Sequence, residues 1–154
     1  MKPDEMRGAH ASPAVPAGSV AAGGLDTTAA ALLFLRVAAS LLLLFVHGLP
    51  KALHVSAQLA VIEDPLHLGA PLTLGFAIFA EVLCPLLMIA GVFTRLAAVP
   101  ILVITVVALT LVHPDWSLEQ GQFAWMLLIL FGTVAIGGPG RYRVALPWGA
   151  RGGR

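Results

Sequence analysis

From Gly69 to Thr94 the chain reads GAPLTLGFAIFAEVLCPLLMIAGVFT, and Glu81, close to the middle, is the one charged residue in it. As a helix rising about 1.5 Å per residue, this stretch spans the roughly 30 Å of hydrocarbon in a bilayer. A carboxylate at that depth is costly unless it is paired, protonated or turned toward water. The constraint on the fold is therefore twofold. The segment must cross a membrane, and it must bring Glu81 to a polar partner inside a bundle.

Three further apolar runs supply that bundle: Ala29 to Val46, Leu96 to Val112 and Phe123 to Gly137. The chain is 58% hydrophobic and 11% charged, a ratio that a soluble domain of 154 residues rarely shows. The pattern predicts an all-α integral membrane four-helix bundle over residues 29–140. A flexible cytoplasmic tail over residues 1–28 precedes it, rich in Ala, Pro, Gly and Ser and without a signal-length apolar run. A basic cytoplasmic tail over residues 141–154 follows, with Trp148 as an interfacial anchor.

The first run carries Arg36 near its middle. Its seven leucines, two phenylalanines and two valines offset the roughly 2.5–3.5 kcal/mol that a central arginine costs. Asp26, Thr27 or Thr28 can cap its start. His47-Gly48-Leu49-Pro50-Lys51 is expected to end it, since proline disfavours a continuing helix. The connection Lys51 to Ala70 has helical apolar spacing and is expected to lie partly on the membrane surface. The short join at Arg95 makes spans two and three antiparallel neighbours. Pro100 falls near the start of span three, where a missing N–H is tolerated. Gln120 to Gln122 are expected to lengthen the short fourth span, and Trp116 and Trp125 suit an aromatic belt.

The basic residues divide seven to one. Lys2, Arg7, Arg95, Arg141, Arg143, Arg151 and Arg154 fall on one side of the membrane, and Lys51 on the other. Positive loops stay inside, so both termini are placed in the cytoplasm. His47, His54, His67 and His113 then lie at the outer face.

Two sets of residues are candidates for function. Arg36 and Glu81, counted from the span midpoints, lie at similar depth on neighbouring helices and are expected to pair. Two readings of that pair stand, a buried ion pair that positions the helices and a proton relay. His47, Lys51, His113 and Trp116 gather at the outer end, as a ligand pocket or as interfacial side chains that snorkel to the headgroups. Cys84, one turn from Glu81, is a packed thiol or a reactive one, the latter only with Arg36 beside it. A single cysteine forms no intramolecular disulfide, and the histidines lack metal-ligand spacing, so no metal site is expected. A net charge of +1 argues against nucleic acid as a partner. No phosphate-loop, flavin or haem motif is present, and no hydrolytic grouping of serine, histidine and acid.

The order of "FLRVAASLLLLFVHGLPKAL", "FAEVLCPLLMIAGVFTRLAAVPI", the "LVH" closing span three and "GGPGRYRVAL" after span four resembles the DoxX family of small four-span membrane proteins. The likeness runs from about Leu32 to Leu146. Arg36, His47, Gly48, Lys51, Glu81, Gly91, Thr94, Arg95 and Gly138 to Tyr142 match positions the family tends to keep. Ser40 and Cys84 stand where glycine is common, so the family lends Cys84 no role. The resemblance implies a plasma-membrane protein tied to oxidoreductase chemistry. Relatives form part of a thiosulfate-oxidising, quinone-reducing enzyme, and others associate with thiol and superoxide defence proteins. It carries over no catalytic residue set. The expectation is a redox-associated membrane subunit, linked to quinone or to thiol and sulfur chemistry, and at most a subunit of a membrane oxidoreductase. No intrinsic cofactor is expected. The lipid bilayer, a quinone and an oxidoreductase protein are the candidate partners, and a homo-oligomer is left open. The competing class is a structural or small-molecule-transport bundle without redox activity.

Overall fold

The computed structural model describes residues 26–144. The tails expected over residues 1–28 and 141–154 lie outside it except for Asp26 to Thr28 and Arg141 to Val144, and so does Trp148. Among the described residues the chain is helical, without strands. Helix α1 runs Thr27–Leu53, α2 Val55–Val61, α3 Ala70–Ala90, α4 Thr94–Val112 and α5 Gln122–Gly137. Helices α1, α3 and α4 are long and apolar enough to cross a membrane, and α5 is a shorter apolar helix.

The four apolar helices pack in a ring, α1 on α3, α3 on α4, α4 on α5 and α5 back on α1. The centre holds Ala39, Leu43, Cys84, Met88, Ala98, Ile101, Phe131 and Val134. Small residues such as Ala39 and Ala98 let the backbones approach, as in other membrane bundles. The outer faces carry Phe34, Leu96, Ile129 and Ile136, all exposed. Water would penalise that surface, whereas lipid does not.

Asp26 caps α1, its carboxylate accepting from the Ala29 amide at 3.1 Å. The stop expected at His47 to Lys51 is not a stop. Helix α1 continues to Leu53 because Leu44–Gly48 forms a π turn, in which the Leu49 amide donates to the Leu44 carbonyl. The wide turn re-registers the backbone ahead of Pro50, which then opens the next α-helical segment. The same solution occurs twice more. The Cys84 amide reaches the Phe79 carbonyl ahead of Pro85, and the His113 amide reaches the Ala108 carbonyl ahead of Pro114. Pro100 also departs from expectation. With α4 beginning at Thr94, it lies in the helix interior. Gln120 belongs to the turn before α5, bonded to Ser117, and does not extend the helix.

Between α3 and α4 only Gly91 to Phe93 intervene. Gly91 is left-handed at φ 75°, and the Val92 amide reaches back to the Leu87 carbonyl at 2.9 Å, a Schellman-type close. The two helices are therefore antiparallel neighbours, as the short join requires. The connection from α1 to α3 holds the short α2, with Leu53, Val55 and Val61 on the surface.

Candidate functional site

Glycine contacts fix the register of α1 against α3. A Cβ on Gly91 would lie 2.6 Å from Arg36 Nη1, and a Cβ on Gly48 would lie 2.2 Å from the Glu81 carbonyl oxygen. Arg36 thus stands opposite the end of α3, and Glu81 opposite Gly48. The ion pair expected between Arg36 and Glu81 is not formed. Arg36, 2% exposed, donates from Nη1 to the Pro139 carbonyl at 2.8 Å and from Nη2 to the Tyr142 carbonyl. Those carbonyls follow the C-terminus of α5, where unpaired acceptors and the helix dipole favour a cation. Arg95 acts similarly, donating to the Ile136 carbonyl at 3.1 Å and packing against Gly138.

Glu81 pairs instead with Lys51. Lys51 Nζ lies 2.5 Å from Glu81 Oε2, with the side chains 22% and 8% exposed. The pairing depends on the π turn of α1. Because the helix does not stop at Pro50, Lys51 stays on it and turns inward to α3. Glu81 also lies within a π turn, Phe79–Leu83.

The Lys51–Glu81 pair sits in the wall of a cavity of about 390 Å³ lined by all four apolar helices and by the connection before α3. Its walls are mainly apolar, including Leu43, Phe76, Val103 and Leu127. His47, Lys51, His113 and Trp116 all line it, so the structure brings together the four residues singled out at this end. The His113 and Trp116 rings stack at 3.7 Å and 5°. His47 stacks on Phe123 at 5.2 Å.

Phe123, Asp64 and Thr73 also shape this lining without being candidates by sequence. Phe123 meets His47 only through tertiary packing, which no sequence spacing encodes. Asp64 and Thr73 form a network that shapes the wall. Asp64 Oδ1 accepts from Thr73 Oγ1 at 2.7 Å and from the Leu68 amide at 3.1 Å, and Oδ2 accepts from the Gly69 amide at 2.7 Å. The Thr73 hydroxyl, the two amides and nearby His67 together hold the Asp64 carboxyl below the usual aspartate range. An acid shortly before Gly69 and Pro71, at the mouth of an apolar helix, is a capping signal that could have been read.

Cys84 is 1% exposed within the central core, and Arg36 is committed to carbonyls. The geometry suits a packed thiol. His54 and His67 are exposed. No group of three metal-ligating side chains occurs among the described residues.

Four packed apolar helices with a paired charge and a cavity inside them define a multi-pass helical membrane protein. The family model for DoxX matches residues 31–114, more than half of the chain, and the protein belongs to the DoxX family. No curated protein and no solved structure matches it.

Proposed function

We propose that this protein is a redox-associated membrane subunit that holds a quinone in the cavity at Lys51 and Glu81. The observation that carries this is a hydrogen-bonding charge pair set into a mainly apolar, aromatic-edged cavity of about 390 Å³. Sites for small apolar ligands are typically about 300–1,000 Å³ with a few polar groups that fix orientation. A quinone ring needs apolar walls and one or two donors at its carbonyl oxygens. The Lys51 ammonium has three donor hydrogens and commits one to Glu81. His47, stacked on Phe123, offers a second donor position on the same wall.

A quinone takes up two electrons and two protons on full reduction. Lys51 would orient a carbonyl, and Glu81 would hold or pass a proton, as carboxylates within membranes commonly do. Electrons would come from a partner oxidoreductase, since the sequence carries no flavin or haem motif. The basic-residue asymmetry supports a plasma-membrane orientation with both termini cytoplasmic and the cavity toward the outside.

The test is titration of purified protein with a short-chain benzoquinone, comparing the parent with His47→Ala and Lys51→Ala. Saturable binding weakened about tenfold by Lys51→Ala, a change of about 1.4 kcal/mol, is expected. Equal saturable binding in all three would move the ligand elsewhere. An absence of binding, with unchanged quinone-reductase activity in membranes of a deletion strain, would favour the structural or transport bundle. A periplasm-active reporter that works when fused after Arg154 would overturn the orientation.

A further inference from the structure

We infer that Glu81 sets the charge class of the ligand, by neutralising Lys51 so that the cavity accepts uncharged molecules and refuses long-chain anions. This rests on the cavity being a ligand site, but not on the redox role. A cavity with apolar walls inside a membrane faces abundant competitors. Amphiphilic anions such as fatty acids carry an apolar chain that suits the walls and a headgroup that seeks an ammonium. Among the described residues Lys51 is the one lysine or arginine in the lining, so it is where such a headgroup would settle.

The other charged and titratable groups of the lining do not cancel Lys51 by contact. Asp64 is occupied by Thr73, Leu68 and Gly69, and Glu63 is exposed. His113 is stacked on Trp116, and His47 on Phe123. Among the described residues Glu81 alone forms a salt bridge to Lys51. The contact uses Oε2, and no protein donor reaches Oε1 among the described residues. The pair therefore presents spare donor hydrogens beside a spare acceptor, with no net charge. That is the complement of a neutral ring bearing carbonyl or hydroxyl groups. An incoming anion would meet the Glu81 carboxylate beside the ammonium it seeks, and a cation would meet Lys51. Beside a neutral pair 2.5 Å across, attraction to one partner and repulsion from the other largely cancel, so a charged headgroup gains little there to offset its lost hydration.

Removing either partner should reveal the other charge. The probes are dodecanesulfonate and dodecyltrimethylammonium, whose charges do not titrate, together with a short-chain benzoquinone. Binding is measured on the purified full chain in nanodiscs of zwitterionic lipid. The double variant Lys51→Gln/Glu81→Gln reports the charge-independent background. Glu81→Gln should bind the sulfonate about tenfold or more tightly than the parent, and Lys51→Gln should show the mirror gain for the ammonium probe. The double variant should gain neither. A gain in either folded single variant supports the inference, so the failure of one to accumulate leaves the other to decide. Parent protein that binds the sulfonate as tightly as Glu81→Gln would overturn it. So would folded single variants that gain neither probe, or single variants that both fail to accumulate while the double variant folds, which is the signature of a structural tie. Charge-dependent gains without quinone binding would retain this inference and end the quinone reading. Quinone binding without those gains would do the reverse.

Discussion

Arg36 and Lys51 stand fifteen residues apart on one helix, roughly 22 Å at 1.5 Å per residue, and the bundle accommodates their charges by different means. At the end where α1 begins and α5 ends, Arg36 spends its guanidinium on backbone carbonyls beyond α5. Gly91 lies hard against it, and Arg95 makes a parallel contact nearby. At 2% exposure the remaining N–H donors of Arg36, the unpartnered Nε among them, are closed to a ligand. At the other end, Lys51 meets a side-chain carboxylate, and both line open space. A cation that satisfies main-chain acceptors closes a helix end. A cation held by one carboxylate at a cavity wall keeps donors in reserve. The comparison separates an architectural arginine from a lysine available for binding.

The largest effect should come from breaking the first arrangement. Arg36→Ala removes two charge-assisted hydrogen bonds, to the Pro139 and Tyr142 carbonyls, at about 1.5–3 kcal/mol each. A loss on the order of 3 kcal/mol is expected in detergent unfolding, with ligand binding by the surviving folded fraction unchanged. Arg36→Lys should recover only part of it, because an ammonium cannot present the guanidinium fork. Weakened binding in folded Arg36→Ala, at undiminished stability, would invert the assignment of the two ends.

Gly91→Ala should be somewhat milder. Its left-handed backbone resists a side chain, and the new methyl would press on Arg36 Nη1 and on Arg143. A loss of about 1–3 kcal/mol is expected from strain and overpacking together. The same measurement on Gly75→Ala is a control, since a Cβ there meets nothing within 4 Å.

Double-mutant cycles sharpen the comparison further. Lys51 and Glu81 should be coupled by roughly 1–3 kcal/mol, whereas Arg36 and Glu81 should add independently within about 0.5 kcal/mol. Measured coupling between Arg36 and Glu81 as large as that of Lys51 and Glu81 would contradict the register set by Gly48 and Gly91.

That register marks where sequence reading succeeded and failed. The four apolar runs named the helices, because bilayer thickness and hydrophobicity act on the chain locally. His47, Lys51, His113 and Trp116 line one cavity, because each adjoins the same end of a span. The partner of Glu81 is not legible in the sequence for a specific reason. Reading proline as the end of α1 removes Lys51 from the helix and leaves Arg36 as the nearest charge by depth count. The π turns that carry three helices up to their prolines are tertiary solutions, and hydropathy does not encode them. Gly48 was the clue, since a glycine inside an apolar helix often marks close backbone approach. The Glu81 carbonyl, which Pro85 deprives of its usual donor, presses against that glycine.

The smallest effect belongs to the rim of the cavity. Asp64 holds residues 64–73 together through Thr73, Leu68 and Gly69, and these contacts lower its pKa and favour the carboxylate. A carboxyl with a folded value below its unfolded value, about 3.9 for aspartate, stabilises the ordered segment above that unfolded value. The contribution falls away as pH drops through the lower, folded value. Hydrogen exchange at the Leu68 and Gly69 amides should therefore show protection near neutrality that is lost in acid, after correction for intrinsic rates. Asp64→Asn should reduce the protection at neutral pH and flatten its acid dependence, because the amide keeps one acceptor oxygen but no charge. The backbone held by Arg36 at Pro139 to Tyr142 should show no matching change over the same range, since a guanidinium keeps its charge there. Acid loss of protection in Asp64→Asn equal to that of the parent would assign the effect to another group and detach Asp64 from the ordering of this wall.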